Sequence, residues 1–141
     1  MLRLYASLIS CLLALGCSSE HSIQVEGAWV GKILPTQSVT AGYMRITNTG
    51  HIDDRLVSVS TVAFETVEMH EMAVDDKGVM RMRKSGPIDL KKDEPVELKR
   101  GGYHLMLIGP QYAIAAGNDI PLALTFESAR ELIVAARVRD E

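Results

Sequence analysis

Residues 69–83 read MHEMAVDDKGVMRMR. The centre of this stretch, Asp75-Asp76-Lys77-Gly78, is a turn signal between two runs that favour extended chain. Read as a hairpin with the three-residue loop Asp76-Lys77-Gly78, it needs Gly78 in the left-handed conformation and sets Asp75 opposite Val79. Side chains alternate across a strand. Even-numbered residues therefore face even-numbered ones, with Met72 opposite Met82 and His70 diagonal to Met82. The hairpin gathers His70, Met72, Met80 and Met82 on one surface.

The same period of two extends outward in both directions. Runs of four to eight residues rich in Val, Ile, Thr and Leu predict strands near 23–30, 41–48, 55–62, 65–74, 79–83, 95–99, 103–108, 121–127 and 131–138. Between them stand Asn48-Thr49-Gly50, Ser85-Gly86-Pro87, Arg100-Gly101-Gly102 and Gly117-Asn118-Asp119. Residues 32–40 read as a loop, 127–131 as a turn, and Pro95 as the opening of a strand, where its missing N–H does no harm. Closely spaced strands with no helical pattern predict an all-β, antiparallel sandwich or Greek-key barrel in a single domain.

The chain has 141 residues, with 15 basic and 18 acidic side chains and a formal charge of −3. That excludes the basic footprint of a nucleic-acid binder. Residues 1–16 read as a secretory signal, with Arg3 ahead of an apolar run from Leu8 to Leu15 that is too short to span a bilayer. Ala14-Leu15-Gly16-Cys17, followed by Ser18-Ser19, resembles a bacterial lipoprotein signal in which Cys17 is lipidated. Residues 17–22 would then be a polar tether and 23–141 the folded domain. Cys11 leaves with the signal and Cys17 is the anchor, so the exported domain has no thiol. A disulfide framework and a Cys-type zinc site are both excluded.

A second cluster, Gly101-Gly102-Tyr103-His104-Leu105-Met106, repeats the spacing of the first. His104 and Met106 share one face, while Tyr103, Leu105 and Leu107 point to the core. Five of the seven methionines fall within 69–106. Methionine on a strand is ordinarily core filler, and a histidine in a β protein is ordinarily a solvated residue. Joint placement argues otherwise here. Imidazole and thioether together form a soft donor set that suits Cu(I) and poorly suits zinc, magnesium or calcium. Without thiolate, a blue electron-transfer centre is excluded. Trp29 reads as packing, while His21 and His51 read as solvated. Paired acids such as Asp53-Asp54 sit in turns. No nucleophilic triad or phosphate loop is visible, so the chain is not expected to be an enzyme.

His70, Met82, the 21 residues 83–103, and then His104-x-Met106 resemble the signature of the PCuAC family of periplasmic copper chaperones. VEGAW (25–29), AGYMRITNTG (41–50), DRLVSVS (54–60), VEMHEM (67–72), GVMRMR (78–83), VELKRGGYHLMLIG (96–109) and PLALTFE (121–127) extend the likeness over nearly the whole exported chain. The resemblance implies a cupredoxin-like fold and a copper site made by His70, Met82, His104 and Met106, with Met80 and Met72 as possible substitutes. It also implies a periplasmic monomer that delivers Cu(I) to the CuA centre of cytochrome c oxidase through a Sco-type thiol assembly factor. Two departures stand out: the lipoprotein-like signal, and a loop at 32–40 that lacks a Pro-rich form. Copper sequestration, or a metal-free β assembly module presenting a Met-rich face, are the alternative functions.

Overall fold

The computed structural model describes residues 22–140. The expected signal (1–16), Cys17, His21 and all of the tether except Ser22 lie outside the described residues. Ten strands follow in order: β1 (Ile23–Gly31), β2 (Val39–Asn48), β3 (Asp54–Ser60), β4 (Phe64–Val74), β5 (Met80–Lys84), β6 (Ile88–Leu90), β7 (Pro95–Leu98), β8 (His104–Pro110), β9 (Asp119–Phe126) and β10 (Glu131–Arg139). There is no helix among the described residues. Nine of these strands are those the sequence predicts. The tenth, β6, corrects that expectation: a three-residue strand directly after Pro87 is too short to show a periodicity. Its residues Ile88 and Leu90 nonetheless bury fully while pairing β3.

The strands hydrogen bond in the order β5-β4-β8-β2-β1-β10-β9-β3-β6, with β7 added to β2. The end strands β5 and β6 are not joined to each other, so the sheet is unclosed. Most pairings are antiparallel; β1 with β10 is parallel. One hydrophobic cluster fills the interior and takes side chains from every strand except β5. Phe126, Ile46, Leu56, Leu105, Leu107, Leu122 and Leu124 are among its largest fully buried members. A sheet that sends one face of each strand to a common centre must wrap around it, which is the all-β sandwich or barrel expected.

Two local features set up the region of interest. Pro95 does open a strand, pairing with Thr47 at the start of β7. The β4–β5 turn is the three-residue loop foreseen: the Asp75 N–H donates to Val79 O, and Gly78 takes a φ of 76°. β5 lies at the sheet edge with all five residues exposed. It is held to β4 by the ladder and by ion pairs of Arg83 with Glu71 and Arg81 with Asp75. Glu71 and Asp75 thus fasten the hairpin.

Candidate metal centre

The registers decide which side chains meet. On β4 and β5, Met72 stands opposite Met82, Val74 opposite Met80 and His70 opposite Lys84. On β4 and β8, His70 stands opposite His104 and Glu68 opposite Met106. Pleating then puts Glu68, His70, Met72, Met80, Met82, Lys84, His104 and Met106 on one face. This face is the reverse of the one bearing buried Met69, Leu105 and Leu107. His70 and His104 are cross-strand neighbours with ring centroids 5.9 Å apart.

Burial separates the methionines. Met44 and Met69 are core residues, whereas Met80 and Met82 are 58% and 51% exposed. Core filling explains the first two and cannot explain the second two, because β5 gives nothing to the core. Met72 and Met106 are intermediate.

His104 is almost wholly buried, at 6%. Its Nδ1 lies 3.0 Å from Gly102 O and its Nε2 lies 3.1 Å from Met82 Sδ. Carbonyl and thioether both only accept, and the carbonyl is the stronger acceptor, so the neutral ring keeps its proton on Nδ1 and turns the Nε2 lone pair to the thioether. The Gly102 carbonyl is itself fixed: it also accepts from the Met72 backbone N–H at 3.3 Å, within a turn that Gly101 closes at a φ of 77°. Few residues but glycine take that conformation, so the Arg100-Gly101-Gly102 sequence sets the tautomer of His104.

His70 repeats the logic with the other nitrogen. Its Nε2 lies 2.9 Å from Glu68 Oε2. The carboxylate accepts, so Nε2 carries the proton and Nδ1 keeps its lone pair. Nδ1 is the one buried side-chain nitrogen or oxygen without a hydrogen-bond partner among the described residues. The His70 hydrogen bond first, and Lys84 second, hold the Glu68 carboxyl below its ordinary range.

A soft metal fits this set. Metal–nitrogen and metal–sulfur bonds of about 2.0 and 2.3 Å at a tetrahedral angle place the two donor atoms about 3.5 Å apart. The Nε2–Sδ gap would open by only a few tenths of an ångström to admit one. Two imidazoles, each with one nitrogen committed and one free, and thioethers on the same face make a neutral donor set of the kind Cu(I) prefers. Among the described residues no group of three or more His, Cys, Asp and Glu side chains could hold a metal ion. The side chains that share the face with the two imidazoles and offer a soft donor are thioethers.

The structure thus places the four residues named from sequence and their two proposed substitutes on one face, and of these it sets Met82 and His70 against His104. Sequence reasoning did not single out Glu68 or the Gly102 carbonyl. The period of two places Glu68 on the face of His70, which was the available signal. His51 is exposed in the bend between β2 and β3, as expected. Trp29 packs against Tyr43 with ring centroids 4.7 Å apart, also as expected.

Fold and site together define a single all-β domain presenting histidine and methionine on one face of a cupredoxin-like sheet. The sequence profile of the LpqE-like family matches residues 23–138, and the chain belongs to that family. Its description carries a provisional lipoprotein label. So does the name of a relative from Leifsonia xyli subsp. xyli, 27% identical over 140 residues and covering 94% of this chain and 82% of its own length. Among solved structures, the copper-bound PCuAC domain from PmoF2 superposes with a TM-score of 0.71 at 25% identity, covering 84% of this chain and 93% of that one. The solution structure of CuI-DR1885 from Deinococcus radiodurans gives 0.65 at 25% identity, covering 90% and 84%. The PCuAC kinship read from the residues is thus matched by the fold.

Proposed function

We propose that this chain is a Cu(I)-binding metallochaperone of the periplasm, anchored to the membrane through a lipidated Cys17. It would hand its cargo to the CuA centre of cytochrome c oxidase by way of a thiol-bearing, Sco-type assembly factor. The observation that carries the metal assignment is the approach of His104 Nε2 to Met82 Sδ at 3.1 Å, beside the unpartnered Nδ1 of His70. The copper-bound and Cu(I) states named for the two structural relatives support the choice of cargo.

The chemistry of release follows from the donors. Imidazole and thioether are neutral, so no strong charge attraction opposes loss of the ion. Met82 is half-exposed on an edge strand that contributes nothing to the core. An incoming thiolate, a stronger soft donor, can displace Met82 first and the imidazoles afterwards, with no part of the core disturbed.

Titration of the domain from residue 18 onward with Cu(I), against a competing chelator, tests the site. One equivalent should bind, and His70→Ala and His104→Ala should each weaken it strongly. Parental affinity in both variants would remove the assignment. Delivery is tested in a deletion strain: loss of oxidase activity at low copper supports it. Copper sensitivity with normal oxidase would mean that the same site buffers the periplasm.

A further inference from the structure

We propose that Glu68 is the positioning residue of the metal centre, locking His70 into the one tautomer whose Nδ1 can meet a metal ion. The inference rests on the Cu(I) reading above. Glu68 lies two residues before His70 on the same face of β4 and stands opposite Met106. Its Oε2 accepts the His70 Nε2–H at 2.9 Å. Its Oε1 accepts from Lys84 Nζ at 3.0 Å, and Lys84 is the β5 residue opposite His70. One carboxylate thus ties β4, which carries His70, to β5, which carries Met82.

An ordinary surface ion pair would not leave the arrangement seen here. The His70 side chain is 16% exposed and that of Glu68 27%, so the contact is largely shielded from water. A merely structural imidazole would satisfy both nitrogens, because burying a polar atom without a partner costs stability. Here one nitrogen is committed to Glu68 while Nδ1 is buried and unpartnered. Without the carboxylate nothing in the network fixes which nitrogen carries the proton. In the Nδ1–H form, the free nitrogen would lie on the wrong side of the ring. A carboxylate behind a ligating imidazole also makes the ring a better donor. The Lys84 ammonium offsets the Glu68 charge, so the centre stays suited to a monovalent soft cation.

The test uses nitrogen NMR of the His70 imidazole in the metal-free chain, together with Cu(I) affinity against a chelator. The parent should show a single Nε2–H tautomer. Glu68→Ala should populate the Nδ1–H form and lower Cu(I) affinity about 10–100-fold. Glu68→Gln, whose side-chain carbonyl can accept the same hydrogen bond, should restore the tautomer and most of the affinity. Lys84→Met should leave the tautomer as in the parent. A parent without the Nε2–H form overturns the proposal even if no variant folds. So does a Glu68→Ala chain with unchanged tautomer, whatever its affinity. A parent with the expected tautomer that takes up no Cu(I) overturns the copper reading instead, and reduces Glu68 to a structural partner.

Discussion

Truncating Met82 and Met80 separately is the sharpest test of the centre, because the two thioethers share a strand and a face and differ only in position. Met82 Sδ is 3.1 Å from His104 Nε2. Met80 lies two residues away, opposite Val74, about 7 Å further along the strand. Both side chains are about half-exposed, so either alanine variant loses at most about 1 kcal/mol of folding stability in the metal-free state. Copper reads out differently. With free Cu(I) at a hundred times Kd, the parent gains about 2.7 kcal/mol, or RT ln(1 + [Cu]/Kd). Losing an outer partner of a metal ligand costs about 10–100-fold in affinity, and losing a donor atom should cost no less. At the same free copper, Met82→Ala should keep only about 0.4–1.4 kcal/mol, while Met80→Ala should keep nearly all. For a domain of this size each kcal/mol moves the melting temperature by roughly 3–6 °C, so thermal denaturation with and without buffered Cu(I) separates the outcomes. The reverse order would make Met80 the ligand. Full copper stabilisation in both variants would refute the assignment of Met82 as a ligand.

Further tests address protons, the anchor and the hairpin. Each charged imidazole must shed one proton to ligate. Cu(I) affinity should therefore fall by up to roughly a hundredfold per pH unit where both rings are protonated in the metal-free chain. His70→Met should halve that slope, and a parent with no pH dependence would exclude both rings. Cys17→Ala should release the protein from the membrane fraction or block its processing; mass spectrometry showing an unmodified mature N-terminus would refute lipidation. Asp75 is held below the ordinary carboxylate range by its hydrogen bond with Arg81 first, and by the Val79 and Lys77 N–H groups. A lowered folded pKa adds stability that is complete above the ordinary carboxylate range and lost as pH falls through the lowered value. Asp75→Asn should therefore be less stable than the parent at neutral pH and lose less on acidification, as read by melting temperature from pH 6 to 2.

Local sequence determined the parts of this protein whose physics is local. The turn at Asp76-Lys77-Gly78 needs one left-handed glycine and has one, so the β4–β5 register and the Met72–Met82 pair were legible at once. Alternation put His104 and Met106 on one face, with Leu105 and Leu107 on the other. The missing thiol and the soft donors pointed to Cu(I) before any distance was known. β6 was illegible, because three residues after a proline carry no period and are strand only by pairing with β3.

Only the tertiary structure decided that β4 lies beside β8 and that His70 stands opposite His104. No turn joins these strands, so their register follows from how Met69, Leu105 and Leu107 fit a core to which nine strands contribute. A slip of one residue would have sent the donors inward. The same packing places Glu68 behind His70, the Gly102 carbonyl behind His104, and Met82 at an edge that the core does not use. The sequence thus carried the donor atoms and their faces. Long-range packing brought them within reach of one another, and the hydrogen bonds it closed determine which nitrogen of each imidazole is free.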